Sequence, residues 1–90
     1  MPDVSAAGTY TKDSPGCIGL GATPHERAIL FAGSTVGSSC LVQYTDDGGT
    51  DRTFSNGTIS TLPASITVKA NIAVKVVFTG TPDCNFTIAG

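Results

Sequence analysis

The residues best able to do chemistry in this 90-residue chain are few. Asp46, Asp47 and Asp51 stand in the run DDGGTD. Carboxylates this close together could hold calcium, a hard cation that takes oxygen ligands in flexible geometry. The same run is what a hairpin turn asks for, because Asp bonds to nearby backbone and Gly accepts positive φ. It lacks the longer EF-hand pattern with its terminal Glu, so a turn is the preferred reading and calcium the alternative. Cys17, Cys40 and Cys84 are an odd number, which does not suit a disulfide framework. Cys40 lies in phase with Val42 and Tyr44, and Cys84 with Phe86 and Ile88. Buried thiols acting as small hydrophobes are expected, with a Cys40–Cys84 disulfide as the alternative. A metal site is disfavoured, because there is no C-x-x-C pair and His25 is the only histidine. Cys17 and His25, eight positions apart, match no local signature of a nucleophilic pair. Gly19-Leu20-Gly21 has no strand before it and no helix after it, so it is no phosphate loop. Asn56-Gly57-Thr58 and Asn85-Phe86-Thr87 fit the glycosylation pattern, read here as coincidence. No enzymatic activity, cofactor or metal is expected.

Binding is a separate question. Sugars are commonly held on aromatic platforms flanked by polar groups. The chain has no Trp, and Tyr10 and Tyr44 are its only tyrosines. Tyr44 could serve as a platform, although its phase with Cys40 and Val42 favours core packing. A carbohydrate- or receptor-binding module of a fibre or adhesin is therefore the second reading, and it calls for an exposed Tyr44 and a role for Asp46 or Asp51. The net charge of -2 and the scattered bases Lys12, Arg27, Arg52, Lys69 and Lys75 do not supply the positive field that nucleic acid or an anionic membrane requires. No apolar run approaches the roughly 20 residues that span a bilayer. Met1-Pro2-Asp3 opens without a basic segment or an apolar run, so no signal peptide is expected and synthesis is assigned to a cytoplasm.

These groups must be positioned by strands. Charged residues make up 13% of the chain and Glu26 is the only glutamate, while Thr, Ser, Val, Ile and Gly abound. That composition favours sheet over helix. Period-two alternation runs through Ile66-Val68-Ala70, Val74-Val76-Phe78 and Cys84-Phe86-Ile88. Further strands are expected at 28–32, 39–45, 52–54 and 58–62. Asn56-Gly57 reads as a tight type I′ turn between the last two of these. Lys69 and Lys75 are expected on outward faces, where they keep edges soluble. About seven short antiparallel strands with regular turn signals predict a small β-sandwich or jelly-roll-like domain over 28–90. Residues 1–27 have no sustained period and several Gly, Pro and Ser, which predicts an extended N-terminal arm. Val4, Tyr10, Ile18 and Leu20 would be its anchors on a neighbour, with Val77 on the sandwich edge as a further contact. On that reading, a chain lacking residues 1–21 stays folded and loses its attachment.

The segments AILFAGSTVGSSCLVQYTDDGGTDRTFSNGTISTLPASITV and AVKVVFTGTPDCNFTIAG carry a Thr/Gly/Ser/Val texture, a D-G-rich hairpin, an LPASITV strand entry and a VVFTGTPD turn. In these the chain, from about Ala28 to Gly90, resembles small all-β structural proteins of tailed bacteriophages, the capsid decoration (cement) proteins and similar head- and tail-fibre domains. The three cysteines depart from that type. The resemblance implies a homotrimeric virion protein that clamps the major capsid protein or another virion subunit. It also implies that the N-terminal arm contacts the shell. Small size fits, since a lone core of this length buries only about 60% of the surface its unfolded form exposes and gains from association.

Overall fold

The computed structural model describes residues 3–89. These form β1 (Asp3–Val4), β2 (Gly8–Tyr10), a 3-10 turn (Ile18–Leu20), β3 (Arg27–Thr35), β4 (Ser39–Thr45), β5 (Asp51–Ile59), β6 (Ala64–Val68), β7 (Lys75–Thr79) and β8 (Asp83–Ala89). All pairings are antiparallel. One sheet runs β1-β8-β3-β6 and the other β2-β7-β4-β5. Among the described residues no helix is long and apolar enough to cross a membrane.

The order has a simple origin. β1 pairs with β8, β2 with β7, β3 with β6 and β4 with β5. These are the rungs of one long two-stranded ribbon whose bend is the β4–β5 turn. Rolling that ribbon brings β3 against β8 and β4 against β7. Each sheet thereby gains two inner strands, and the inward faces of the two sheets become one core, giving a small β-sandwich-like fold. Ile29, Phe31, Ile66, Val68 and Phe86 come from the first sheet, and Cys40, Val42, Ile59, Val76 and Phe78 from the second. The alternation expected of β4, β7 and β8 is present, with Cys40, Val42, Val76, Phe78, Cys84 and Phe86 buried.

Residues 3–27 revise the expectation of a separate arm. β1 closes the edge of one sheet and β2 the edge of the other. Val4, at 1% exposure, and Leu20, at 0%, lie in the chain's own core beside Cys17. The backbone is tied down as well, since the Leu20 carbonyl accepts from the Val74 amide at 2.8 Å. Short isolated apolar residues here anchor to the chain itself. The part of the arm formed by Met1 and Pro2 lies outside the described residues.

Asn56-Gly57 is also not a turn. It lies within β5, where Leu41 pairs with Thr58 but Gln43 with Thr53. Two steps along β4 thus face five along β5, and the surplus bulges out of the ladder. Gly57 is required there, because a Cβ would stand 2.6 Å from the Val42 carbonyl oxygen. Gly33 marks a second irregularity, with φ of 134° and a would-be Cβ 2.5 Å from Cys84 Cα, where the β3–β8 register shifts. The expected strands at 52–54 and 58–62 are therefore one, and with β1 and β2 the count among the described residues becomes eight.

Two substitutions separate a packed N-terminal segment from a loose one. Leu20→Ala should cost roughly 2–5 kcal/mol in urea unfolding, as for other buried leucines. Ile18→Ala, two residues away and 85% exposed, should stay within about 0.5 kcal/mol of the parent. Equal, small effects would mean that residues 3–27 do not pack as described.

Candidate functional site

The five expected contact residues scatter. Val4 and Leu20 are buried, and Tyr10 is half-buried with its ring edge-on to Phe78 at 5.8 Å and Phe86 at 5.5 Å. Val77 faces outward on β7, half-covered between Thr9 and Leu41 in register. Only Ile18 stands free in solvent. As a partner-binding set these residues do not share a surface.

The carboxylates of the β4–β5 turn are committed to the chain. One Asp46 oxygen accepts from the amides of Gly48 at 3.0 Å and Thr50 at 2.9 Å, and the other from Arg52 Nε at 2.8 Å. Arg52 first, then the Thr50 amide, hold the Asp46 carboxyl below its ordinary range. Asp51 accepts from Lys75 Nζ at 3.0 Å and the Thr45 hydroxyl at 2.9 Å, and Lys75 chiefly lowers its titration. Both ion pairs are open to solvent, where water and salt screen such pairs. They shape the turn more than they hold the fold.

The cysteines are buried free thiols. Burial, reinforced by the neighbouring Cys84, pushes Cys40 up to about 12. Burial also raises Cys17 and Cys84. Protonated thiols are poor nucleophiles. The Cys17 thiol points at the Pro15 carbonyl, 3.6 Å away, whereas His25 is exposed.

A cleft of about 1000 Å³ opens at one end of the sandwich, and three segments distant in sequence build it. Tyr44 and Phe54 form one wall, their rings 4.8 Å apart and tilted by 46°. Leu20 and Val74, both buried, lie beneath. Thr11, Lys12 and Asp13 rim one side, and Asn71 to Lys75 the other. Each segment is fixed. The 11–14 turn closes by the Ser14 amide on the Thr11 carbonyl at 2.9 Å. The β6–β7 link is pinned by the Asn71 amide on the Thr23 carbonyl at 2.7 Å and by Arg27.

Arg27 is the buried charge of this region. Nη1 donates to Thr23 Oγ1 at 3.1 Å and to the Lys69 carbonyl at 3.3 Å, and Nη2 donates to the Ile72 carbonyl. Nε has no acceptor among the described residues. With no carboxylate as partner, burial lowers its titration, and carbonyl oxygens take the place of a counterion. From the start of β3, opposite Val68, it ties down the β6–β7 link that lines the cleft.

Sequence reasoning singled out Tyr44 and missed Phe54, Asn71 and Lys12. Asn71 has a φ of 66°, and an Asn between two apolar strands is a signal for such a left-handed link. No protein-family model, curated protein or solved structure matches the chain.

Thiol titration tests the burial. A colourless-to-yellow aryl disulfide reagent should leave all three cysteines of the folded protein slow to react at pH 8 and count three after unfolding. Folded Cys40 keeps its proton to about 12, while an unperturbed thiol loses it near 9. The unfolded chain therefore binds fewer protons between those values. Stability should be full below pH 9 and decline as pH rises toward 12. At the acid end, the lowered Asp46 and Asp51 act oppositely: their contribution is present above the ordinary carboxylate range and lost as pH falls through it. Rapid labelling of the native state, or stability indifferent to alkaline pH, would contradict the burial.

Proposed function

We propose that the protein is a non-enzymatic jelly-roll protein of a bacteriophage particle, docking on the major capsid protein or a neighbouring virion subunit as a trimeric decoration or cement component. The observation that carries this reading is the outer face of the β1-β8-β3-β6 sheet. Its outward positions on the inner and far strands are Ala28, Leu30, Ala32, Ser65, Thr67, Asp83, Asn85, Thr87 and Ala89, with Asp3 of β1 beside Asn85. Of these only Asp3 and Asp83 are charged. Leu30, 43% exposed, sits at the centre between Ser65 and Thr87 in register.

A patch of small side chains around Leu30 with no ionised group suits close seating on another protein, because no charge there has to be stripped of water. A standard interface takes roughly 800 Å² from each partner. Repetition over many symmetric copies lets a weaker contact hold. The rolled-ribbon strand order supports the jelly-roll assignment, since double-sheet rolls of eight strands serve in viral capsid and lectin domains. The texture shared with phage structural proteins supports the particle.

Leu30→Asp places a charge at the centre of the face while leaving the core untouched. The variant should unfold like the parent, within about 0.5 kcal/mol. It should fail to co-sediment with phage particles prepared without the protein, to which the parent binds. Attachment of the variant at parental levels would remove this face from the interface. Failure of the parent to bind any particle, together with a strict monomer by light scattering, would overturn the reading.

A further inference from the structure

We infer that the cleft beside Tyr44 is a binding site for a neutral saccharide. The inference does not depend on attachment to a particle. It starts from the position of Tyr44. The residue follows Cys40 and Val42 on the inward face of β4, yet it is only half-buried, because there the inward face runs out from between the sheets. Phe54 lies beside it on the bulged part of β5. The bulge therefore sets a second ring next to the first at an end of the sandwich that the other sheet does not cover.

A pair of half-exposed rings offers apolar area with a phenolic hydroxyl at its edge. A pyranose offers the complement, a patch of C–H groups on one face and hydroxyls around its rim. Asn71 and Asp47 are exposed groups bordering the cleft, and they supply amide and carboxylate for those hydroxyls.

Charge narrows the ligand. The lining holds Lys12 and Lys75 against Asp13, Asp46 and Asp47, a balance of minus one. Lys75 is engaged by Asp51, and Lys12 by Asp13 at 3.1 Å. Phosphates and acidic sugars are thus disfavoured. A cation would want an aromatic cage, and one tilted pair is not a cage. The volume, about 1000 Å³, accommodates one or two sugar rings. The cleft is also pre-formed, with its turn and its link held by Thr11–Ser14, Asn71–Thr23 and Arg27. Little ordering then accompanies binding.

The test uses the full chain and free glucose, galactose, mannose, N-acetylglucosamine and maltose at tens of millimolar. Backbone amide shifts in nitrogen-labelled protein locate binding. Tyrosine fluorescence gives affinity, since the chain has no Trp and the other tyrosine, Tyr10, is packed on Phe78 and Phe86. At least one sugar should saturate shifts at Asp47, Phe54 and Asn71 with millimolar affinity, while N-acetylneuraminic acid and inorganic phosphate leave them in place.

Tyr44→Ala should weaken binding about tenfold or more, a loss of about 1.4 kcal/mol. Because that variant also loses packing on Phe54, Asn71→Gly and Asp47→Ala serve beside it. Glycine keeps the backbone conformation at 71 while deleting the amide. Each should weaken binding several-fold without altering the unfolding curve. The inference is overturned if no sugar moves these amides, if the shifts map elsewhere, or if Asn71→Gly and Asp47→Ala both bind as the parent does. It is equally overturned if the same amides shift on concentrating the protein alone, which would make the cleft a contact between copies.

Discussion

Phe86 is the point at which the two sheets are held together. It lies on β8, and its ring meets Phe31 of its own sheet at 5.8 Å. Across the interior it meets Tyr10 at 5.5 Å and Phe78 at 6.3 Å. Aromatic pairs of this kind add roughly 0.5–1.5 kcal/mol beyond the area they bury. In a chain with so few large side chains, that cluster is the centre around which Ile29, Val42, Ile66 and Val76 are arranged. It also explains why β2 is held although it is only three residues long. Gly8 and Tyr10 take the inward positions, and Tyr10 closes the cluster from the edge.

The strands that form this centre were legible in the sequence, and for one reason. β4, β7 and β8 each have one face on the core and one toward solvent, so their residues alternate. β1 and β2 were not legible. Strands of two and three residues are too short to show a period, and their partners β8 and β7 impose their extended form. Asn56-Gly57 misled for the opposite reason. Its local preference for a tight turn is real. Pairing to β4 on both sides of the bulge overrides it. Arg27 escaped notice because long charged residues are expected outside. Its burial follows from carbonyls presented by the β6–β7 link, which no local pattern announces.

The cleft was only half legible for a related reason. Tyr44 could be named from its chemistry, and its phase on β4 correctly placed it on the inward face. What the sequence does not encode locally is where that face ceases to be covered. This depends on the lengths of strands in the opposite sheet and on segments near residues 12 and 72, brought together only by rolling the ribbon. The acidic turn, by contrast, could be read from its composition. Its carboxylates bond to their own backbone and to Arg52 and Lys75, as Asp in a turn usually does.

The strand order also dictates a timetable. β7 and β8, the last two strands in chain order, occupy interior places, β8 between β1 and β3 and β7 between β2 and β4. A nascent chain emerging from the ribosome can pair β3 with β6 and β4 with β5, but both half-sheets then present bare edges and an uncovered apolar face. β1 and β2, made first, have nothing to pair with until the end of the domain arrives. Folding is therefore a late, concerted closure across nearly the full length of the chain, which is the slow kind. Until it happens, the growing polypeptide carries the sticky edges that invite association with its neighbours on the same messenger. For a protein proposed to be made in many copies at once, protection during those seconds is as much a part of its design as the packed core that follows.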